Sequence, residues 1–347
     1  MPGHATADPI LTVRGASVRF GAKEALSATD LDLRRGQITA ILGPSGAGKS
    51  TLLRAIAGFQ SLSDGTIALG GKTLTDGAWM MPAEQRGIGM VVQDLALFPH
   101  LTAWRNVAFG VRSKDRRAIA QDWLARIGLA DRADAFPHEL SGGEQQRVAL
   151  ARALAPDPSV VLLDEAFSSL DPELRRLLRR ETEALLRQSG AAVLMVTHDP
   201  DEAMEMADDL AVMAGGEVLQ RGTPYDLYWS PADAVVGSLL GEINVLEGRV
   251  EGGIMRTAFG EIAAAGISDG TTLQALVRPS AIAVTPSAEE TGLAVARSSF
   301  RGAETWIAVE NARGQSLLAL AAGGAGPGPG QSVSVAIDPG RISLVRV

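Results

Sequence analysis

Three short runs in this chain hold the residue types that handle phosphate. The first is Gly43-Pro44-Ser45-Gly46-Ala47-Gly48-Lys49-Ser50-Thr51. Its glycines let backbone N–H groups wrap phosphate oxygens where a Cβ would block the approach. At this spacing Lys49 reaches the β- and γ-phosphates and Ser50 ligates Mg²⁺. The second run is Val160-Val161-Leu162-Leu163-Asp164-Glu165. Its apolar residues deliver Asp164 to the end of a buried strand, where the carboxylate supports Mg²⁺, usually through water. Alternation turns strand neighbours apart, but the chain is leaving the strand at Glu165, which can therefore aim at a γ-phosphate. Glu165 is assigned as the group that polarises the attacking water. The third run, Leu140-Ser141-Gly142-Gly143-Glu144-Gln145-Gln146-Arg147-Val148-Ala149, lies between the other two. The phosphate loop by itself does not distinguish an ATPase from a GTPase or a kinase.

These runs need a scaffold, and the flanking patterns supply one. Ile10 to Phe20 alternates apolar and polar residues, and Leu31-Asp32-Leu33 repeats the pattern, which predicts an antiparallel β edge. Gln37 to Leu42 reads as a buried strand entering the glycine loop, and Lys49 to Ala57 as a helix stopped by Gly58. Lys114 to Ile127 places Ile119, Trp123, Leu124 and Ile127 on one helix face, and Gly143 to Leu154 follows as a second helix of an insert. Strand and helix then alternate: Val160 to Leu163, Pro172 to Gln188, Ala192 to Thr197, Pro200 to Ala207 and Leu210 to Met213. Asp171 before Pro172 is a natural N-cap. This order predicts an α/β fold of the P-loop NTPase, RecA-like kind, a mostly parallel sheet covered by helices.

After about Gly241 short alternating runs (Val245 to Val250, Leu273 to Val277, Trp306 to Val309, Ser332 to Ile337) are separated by glycine-rich turns, which predicts a small all-β, OB-like barrel. The expected domains are 10–240, with a helical subdomain over about 94–155, and 241–347. The run from Gly323 to Gly330 is too poor in side chains to pack and reads as a mobile hairpin loop.

The 347 residues include no Cys, which excludes disulfides, Cys-ligated zinc, iron–sulfur clusters and thiol catalysis. A formal charge of −8 argues against broad nucleic-acid affinity. The pairs Arg175-Arg176 and Arg179-Arg180 stand at helical spacing with Glu173, Glu181 and Glu183 and read as a solvated helix face. Met1 to Pro9 lacks the apolar core of a secretory leader, and no apolar stretch approaches the roughly 18 to 20 residues that span a bilayer. The expectation is a soluble chain whose membrane role comes through a partner.

Taken together the runs resemble the ATP-binding subunits of ABC transporters. Leu140 to Gln145 is similar to that family's signature, Ser168-Ser169-Leu170-Asp171 to its D-loop, Gln93 after Gly89-Met90-Val91-Val92 to its Q-loop residue, and His198 to its switch histidine. The resemblance implies that Gln93 touches Mg²⁺ and the attacking water, and that His198 contacts the γ-phosphate. It also implies a homodimer sandwiching two ATP molecules, with Ser141, Gly142, Gly143, Glu144 and Gln145 closing over ATP held by the other copy. Phe20 matches the position of an aromatic that stacks on adenine; packing of its ring in the core is the other reading. A stacked ring is worth about 1 kcal/mol and reads no base edge, so ATP over GTP rests on the resemblance.

The subgroup resembled is the importer ATPases with a C-terminal TOBE-type barrel, of the maltose, sulfate, polyamine and ferric-iron kind. Val277-Arg278-Pro279, Gly222-Thr223-Pro224 and Leu240-Gly241-Glu242 with Asn244 carry that likeness. Gly143 to Ala155 and Leu240 to Asn244 look most like the ferric-iron importers. This implies two transmembrane permease subunits seated near Gln93 and the Phe98 to Phe109 segment, a periplasmic or surface solute-binding protein, and a peripheral place on the cytoplasmic face of the inner membrane. Polyamine, sulfate and thiamine-type solutes stay open. So do a soluble ABC ATPase acting on ribosomes or DNA and, as a third reading, a P-loop kinase. Two positions depart from the family pattern. Ala166 stands where Pro is usual, which loosens the turn behind Glu165. Glu144 adds a charge that the helix dipole should tolerate.

Overall fold

A computed structural model describes residues 8–167, 172–289, 291–323 and 326–346. The expected D-loop, Ser168 to Asp171, lies outside the described residues. The chain divides into two compact units, Met1–Pro224 and Tyr225–Val347.

The first unit opens with β1 (Leu11–Phe20), β2 (Lys23–Leu33) and β3 (Ile38–Leu42), followed by α1 (Lys49–Ala57), β4 (Asp64–Leu69), β5 (Lys72–Thr75) and β6 (Ile88–Val91). Helices α2 (Ala103–Val107), α3 (Arg116–Arg126) and α4 (Gly142–Leu154) come next. The unit continues with β7 (Val160–Asp164), α5 (Pro172–Ser189), β8 (Ala192–Thr197), α6 (Pro200–Met206), β9 (Asp209–Ala214) and β10 (Glu217–Gly222). Among the described residues the central sheet runs β10-β9-β3-β8-β7-β6, every pair parallel except β9 with β10. Strands buried on both faces read as apolar runs, and β3 and β8 are buried at every position. The antiparallel edge is a separate sheet in the order β2-β1-β4-β5, whose inward residues Leu11, Val13, Leu31 and Ile67 share a core with Leu52, Ile56, Leu162 and Leu194.

The helical insert between β6 and β7 has its own core of Ala103, Val107, Ala120, Leu124, Leu140, Val148 and Ala151. Of the face expected on α3, Leu124 and Ile127 are buried while Ile119 and Trp123 pack at its margin.

The second unit opens at Tyr225, inside α7 (Pro224–Trp229), and continues with α8 (Ala234–Leu239). Its strands are β11 (Asn244–Glu251), β12 (Ile254–Thr257), β13 (Gly260–Ala263), β14 (Thr272–Val277), β15 (Ile282–Pro286), β16 (Leu293–Phe300), β17 (Glu304–Asn311), β18 (Ser316–Ala322), β19 (Val333–Ile337) and β20 (Ile342–Arg346). All pair antiparallel, as β13-β12-β11-β14-β20, β15-β19 and β16-β17-β18 among the described residues. The unit starts ahead of the junction read at Gly241 because Arg278 ties both short helices to the strands. Its guanidinium, 2% exposed, donates to the carbonyls of Tyr228, Gly241 and Glu242 and lies over the Tyr228 ring. The glycine-rich run corrects its sequence reading where it is described. Pro327 is buried, and a Cβ on Gly326 would meet the Ile307 side chain, so backbone and ring pack where side chains are missing.

Candidate functional site

The central sheet gathers its candidate chemistry at the carboxyl ends of β3, β6, β7 and β8, the end at which open parallel sheets bind ligands. Register fixes this: Leu42 pairs with Thr197, and Asp164 with Val196, so the loops after β3, β7 and β8 leave the sheet side by side.

Behind β3 the glycine loop is tight. A Cβ on Gly43 would collide with the Met213 carbonyl, and Gly48 sits at φ +100 with the Ala25 carbonyl against the missing Cβ. Gly48 is followed directly by α1, so the first free N–H groups of the helix face the loop. Lys49 is 5% exposed, and its Nζ donates to the Gly43 carbonyl at 2.8 Å and to the Pro44 carbonyl at 3.0 Å. Burial pushes its pKa down, opposed by the nearby charges of Glu165 and Asp164. The ammonium is thus desolvated and held by two neutral carbonyls, which anionic phosphate oxygens can replace.

Ser50 Oγ donates to Asp164 Oδ1 at 3.2 Å, and burial raises the Asp164 pKa. A desolvated carboxylate beside a hydroxyl fits a Mg²⁺ ion completed by substrate oxygens. No cluster of three or more His, Cys, Asp or Glu able to hold a metal occurs among the described residues. Mg²⁺ fits such a sparse set because it is commonly held by one or two carboxylates together with substrate phosphates.

The side chain of Glu165 is redirected by its backbone. Its φ is +47, a left-handed conformation that costs a non-glycine residue on the order of 1 kcal/mol. Its N–H still donates to the Val196 carbonyl at 3.0 Å, so the turn is anchored to β8. The strain turns Glu165 toward the next loop, where Oε2 stands 3.1 Å from His198 Nδ1. Sequence alternation alone would have sent it away from Asp164's neighbours. The pair is partly open to solvent, with His198 55% and Glu165 22% exposed.

Gln93 lies exposed in the turn beyond β6, the strand beside β7. Leu95 and Ala96 after it both have positive φ. Arg152 on α4 donates to their carbonyls at 2.7 and 2.5 Å, tying that turn to the helix that begins at Ser141. Ser141 caps α4 in a reciprocal box with Glu144, whose Oε2 accepts from Ser141 N at 2.7 Å and from Ser141 Oγ at 2.8 Å. These bonds hold the Glu144 carboxyl below its ordinary range, so the added charge works as a capping group. Gln145 donates to the carbonyls of Pro137 and Leu140. Among the described residues, Ser141 to Gln145 make no hydrogen bond to Lys49, Ser50, Asp164, Glu165 or His198. Phe20 ends β1 with its ring 53% exposed, which removes the core-packing reading.

One reading of the charges needs correcting. Arg180 is 77% exposed on the outer face of α5, but Arg179 is 5% exposed and turns inward to Asp199 and Glu202. Helical spacing to the glutamates concealed this, because the partners lie on another helix. Thr197, Asp199, Glu202 and Arg179 form a network behind His198 that no motif in the sequence announces. Its one signal was the spacing from His198 to Glu202.

Comparison with known proteins agrees with this geometry. Residues 26–168 match the ABC transporter family model and residues 275–345 the TOBE domain. The chain is 43% identical over 311 residues to the Fe(3+) ions import ATP-binding protein FbpC of Mesorhizobium japonicum, covering 86% of each protein. It is 41% identical over 249 residues to the spermidine/putrescine import ATP-binding protein PotA of Vibrio cholerae, covering 70% of this chain and 65% of that one. Among solved structures it is similar to the dimeric post-hydrolysis state of the ATP-binding cassette MJ0796 bound to ADP and Pi. That likeness has a TM-score of 0.54 and 29% identity and covers 62% of this chain and 98% of the other. With its phosphate loop, its Asp164-Glu165 pair and a relative matched across both units, the chain belongs to the ABC transporter family as an ATP-binding, ATP-hydrolysing subunit with a C-terminal TOBE domain.

Proposed function

We propose that this chain drives a membrane importer by ATP hydrolysis, and that the solute is ferric iron. The observation that carries the solute is similarity to an Fe(3+) import protein running through both units. In the proposed cycle two copies sandwich two ATP molecules. Each ATP lies on Lys49, Ser50 and Thr51 and on the backbone of Gly43 to Gly48, with its adenine on Phe20. Ser141 and Gly143 of the other copy cap it, and helix-start N–H groups after Ser141 stabilise γ-phosphate charge in the manner of fixed electrostatic donors. The likeness to a dimeric cassette supports this arrangement. Mg²⁺ held by Ser50, Asp164 and Gln93 would neutralise charge on the phosphate oxygens.

Glu165 accepts the proton of the attacking water. His198, held through Nδ1 by Glu165, keeps its other ring nitrogen available for the γ-phosphate. Closure pulls on two permease subunits seated at Gln93 and at the groove of about 570 Å³ lined by Glu84, Gln85, Phe109, Val111 and Arg112. Phe109 is 63% exposed there, an apolar contact ready for a partner. No described helix is long and apolar enough to cross a membrane, so this reading seats the chain peripherally on the cytoplasmic face of the inner membrane, beneath the permeases. A periplasmic or surface solute-binding protein acts through the complex.

Glu165→Gln tests the catalytic part: a loss of about 10²- to 10⁴-fold in kcat is expected, with an ATP-stabilised dimer. Parental turnover in that variant refutes the assignment. Similarity to a spermidine/putrescine import protein favours a polyamine as the second reading. ATPase stimulation of the reconstituted complex by its binding protein loaded with ferric iron, against the same protein offered spermidine, separates the two. Co-sedimentation with ribosomes in place of co-purification with membrane subunits would overturn transport altogether.

A further inference from the structure

His198 protrudes from the end of β8 with more than half its surface in solvent, yet a γ-phosphate contact needs a fixed ring. The two residues beside it are both pinned. Thr197, 1% exposed, donates through Oγ1 to Glu202 Oε2 at 2.8 Å and accepts at the same oxygen from Asp199 N at 3.0 Å. Asp199 in turn caps α6, its Oδ1 accepting from Asp201 N at 2.9 Å and Glu202 N at 3.3 Å. Its Oδ2 accepts from Arg179 Nη2 at 2.5 Å. Arg179 reaches across from α5, its Nη2 also standing 3.8 Å from Glu202 Oε2 and its Nη1 3.7 Å from Glu205 Oε2. Glu202 is 4% exposed and Arg179 5%.

We propose that Glu202 and Arg179 are positioning residues for His198, fixing the backbone on either side of the ring through Thr197 and Asp199. The proposal rests on the hydrolytic reading of Glu165 and His198. A residue between two anchored neighbours has its backbone set while its side chain stays free to meet substrate. Glu202 is costly to keep here, since burial pushes its carboxyl up to about 7. What the buried carboxyl does here is accept the Thr197 hydroxyl and stand beside the Arg179 guanidinium. Arg179 also joins the switch loop to α5.

The test is steady-state ATP hydrolysis by the full-length chain, with thermal midpoints as a check on folding. Glu202→Ala is expected to lower kcat roughly ten- to hundredfold, the cost of misplacing a reacting group, while KM stays within about twofold. Glu202→Gln restores most of the rate, because its amide oxygen still accepts the Thr197 hydroxyl. Thr197→Val, which removes the link itself and keeps the volume, reproduces the loss even if Glu202→Ala fails to fold. In a His198→Ala background none of these changes lowers the residual rate further, as expected for residues acting through one group. Parental kcat in both Glu202→Ala and Thr197→Val overturns the proposal, and so does an equal loss with and without His198. Parental kcat in His198→Ala alone brings down the hydrolytic reading, so the two failures are told apart.

Discussion

Arg86 offers a stringent test of how α1, the helix behind the glycine loop, is held. Its guanidinium is 2% exposed and donates to four carbonyls: Met81 at 2.9 Å, Ala55 at 2.9 Å, Ile56 at 2.8 Å and Leu74 at 3.3 Å. Ala55 and Ile56 belong to the last turn of α1, where a cation complements the helix dipole. Burial pushes the Arg86 pKa down, so the carbonyls are what make the charge tolerable. In Arg86→Met two acceptors keep another donor, Ala55 from Gly58 N and Leu74 from Met81 N. The carbonyls of Ile56 and Met81 lose the partner described for them. Two unsatisfied buried carbonyls cost about 1–3 kcal/mol each, and removing a desolvated cation returns part of that, which leaves a net loss of about 3 kcal/mol. The assay is urea unfolding of the full chain followed by tryptophan fluorescence and circular dichroism. With a slope of about 2–3 kcal/mol/M, the first unit's midpoint falls by about 1 M. Arg86→Lys, whose ammonium cannot reach all four acceptors, loses about half as much. A change below about 1 kcal/mol in Arg86→Met would mean that the carbonyls find water or new donors and that Arg86 does not hold α1.

Other outcomes follow from the same geometry. Gly48→Ala places a Cβ against the Ala25 carbonyl at a backbone φ of +100, so ATP binding measured by fluorescence titration is expected to be lost, and tight binding would show that the loop relaxes. Ser141→Ala removes a cap worth about 1 kcal/mol and a proposed γ-phosphate donor worth on the order of 10²-fold in rate. ATP binding to the monomer survives while hydrolysis falls; unchanged turnover reduces Ser141 to a helix cap. Glu202 sets a pH dependence. Its folded pKa of about 7 exceeds the ordinary 4.5, so the native state binds the extra proton and this group's contribution declines as pH rises from about 4.5 through about 7. Arg179 from α5 and Asp199 and His198 ahead of α6 act on it, with Arg175 beside Asp199 and Glu205 beside Arg179. Glu202→Gln therefore gains stability relative to the parent as pH rises from about 4.5 through about 7, read from urea midpoints, and a constant difference contradicts this.

The elements and their order were legible in the residues alone, because apolar period, glycine position and caps act within a few residues of one another. The strand before Gly43, the helix from Lys49 to Ala57, the helix beginning beside Ser141 and the strand ending at Asp164 all stand where pattern put them. The glycine loop with Lys49 and Ser50 likewise stands at the join of that strand and that helix. Tertiary structure decided what depends on partners distant in the chain. Arg179 read as surface from its own helix and became buried through Asp199 and Glu202 on another. Arg278 drew α7 and α8 into the second unit through carbonyls that no side-chain pattern announces. Glu165 faces His198 through a positive φ that strand alternation does not encode; the register of β7 against β8 and the bond to Val196 hold that turn in place.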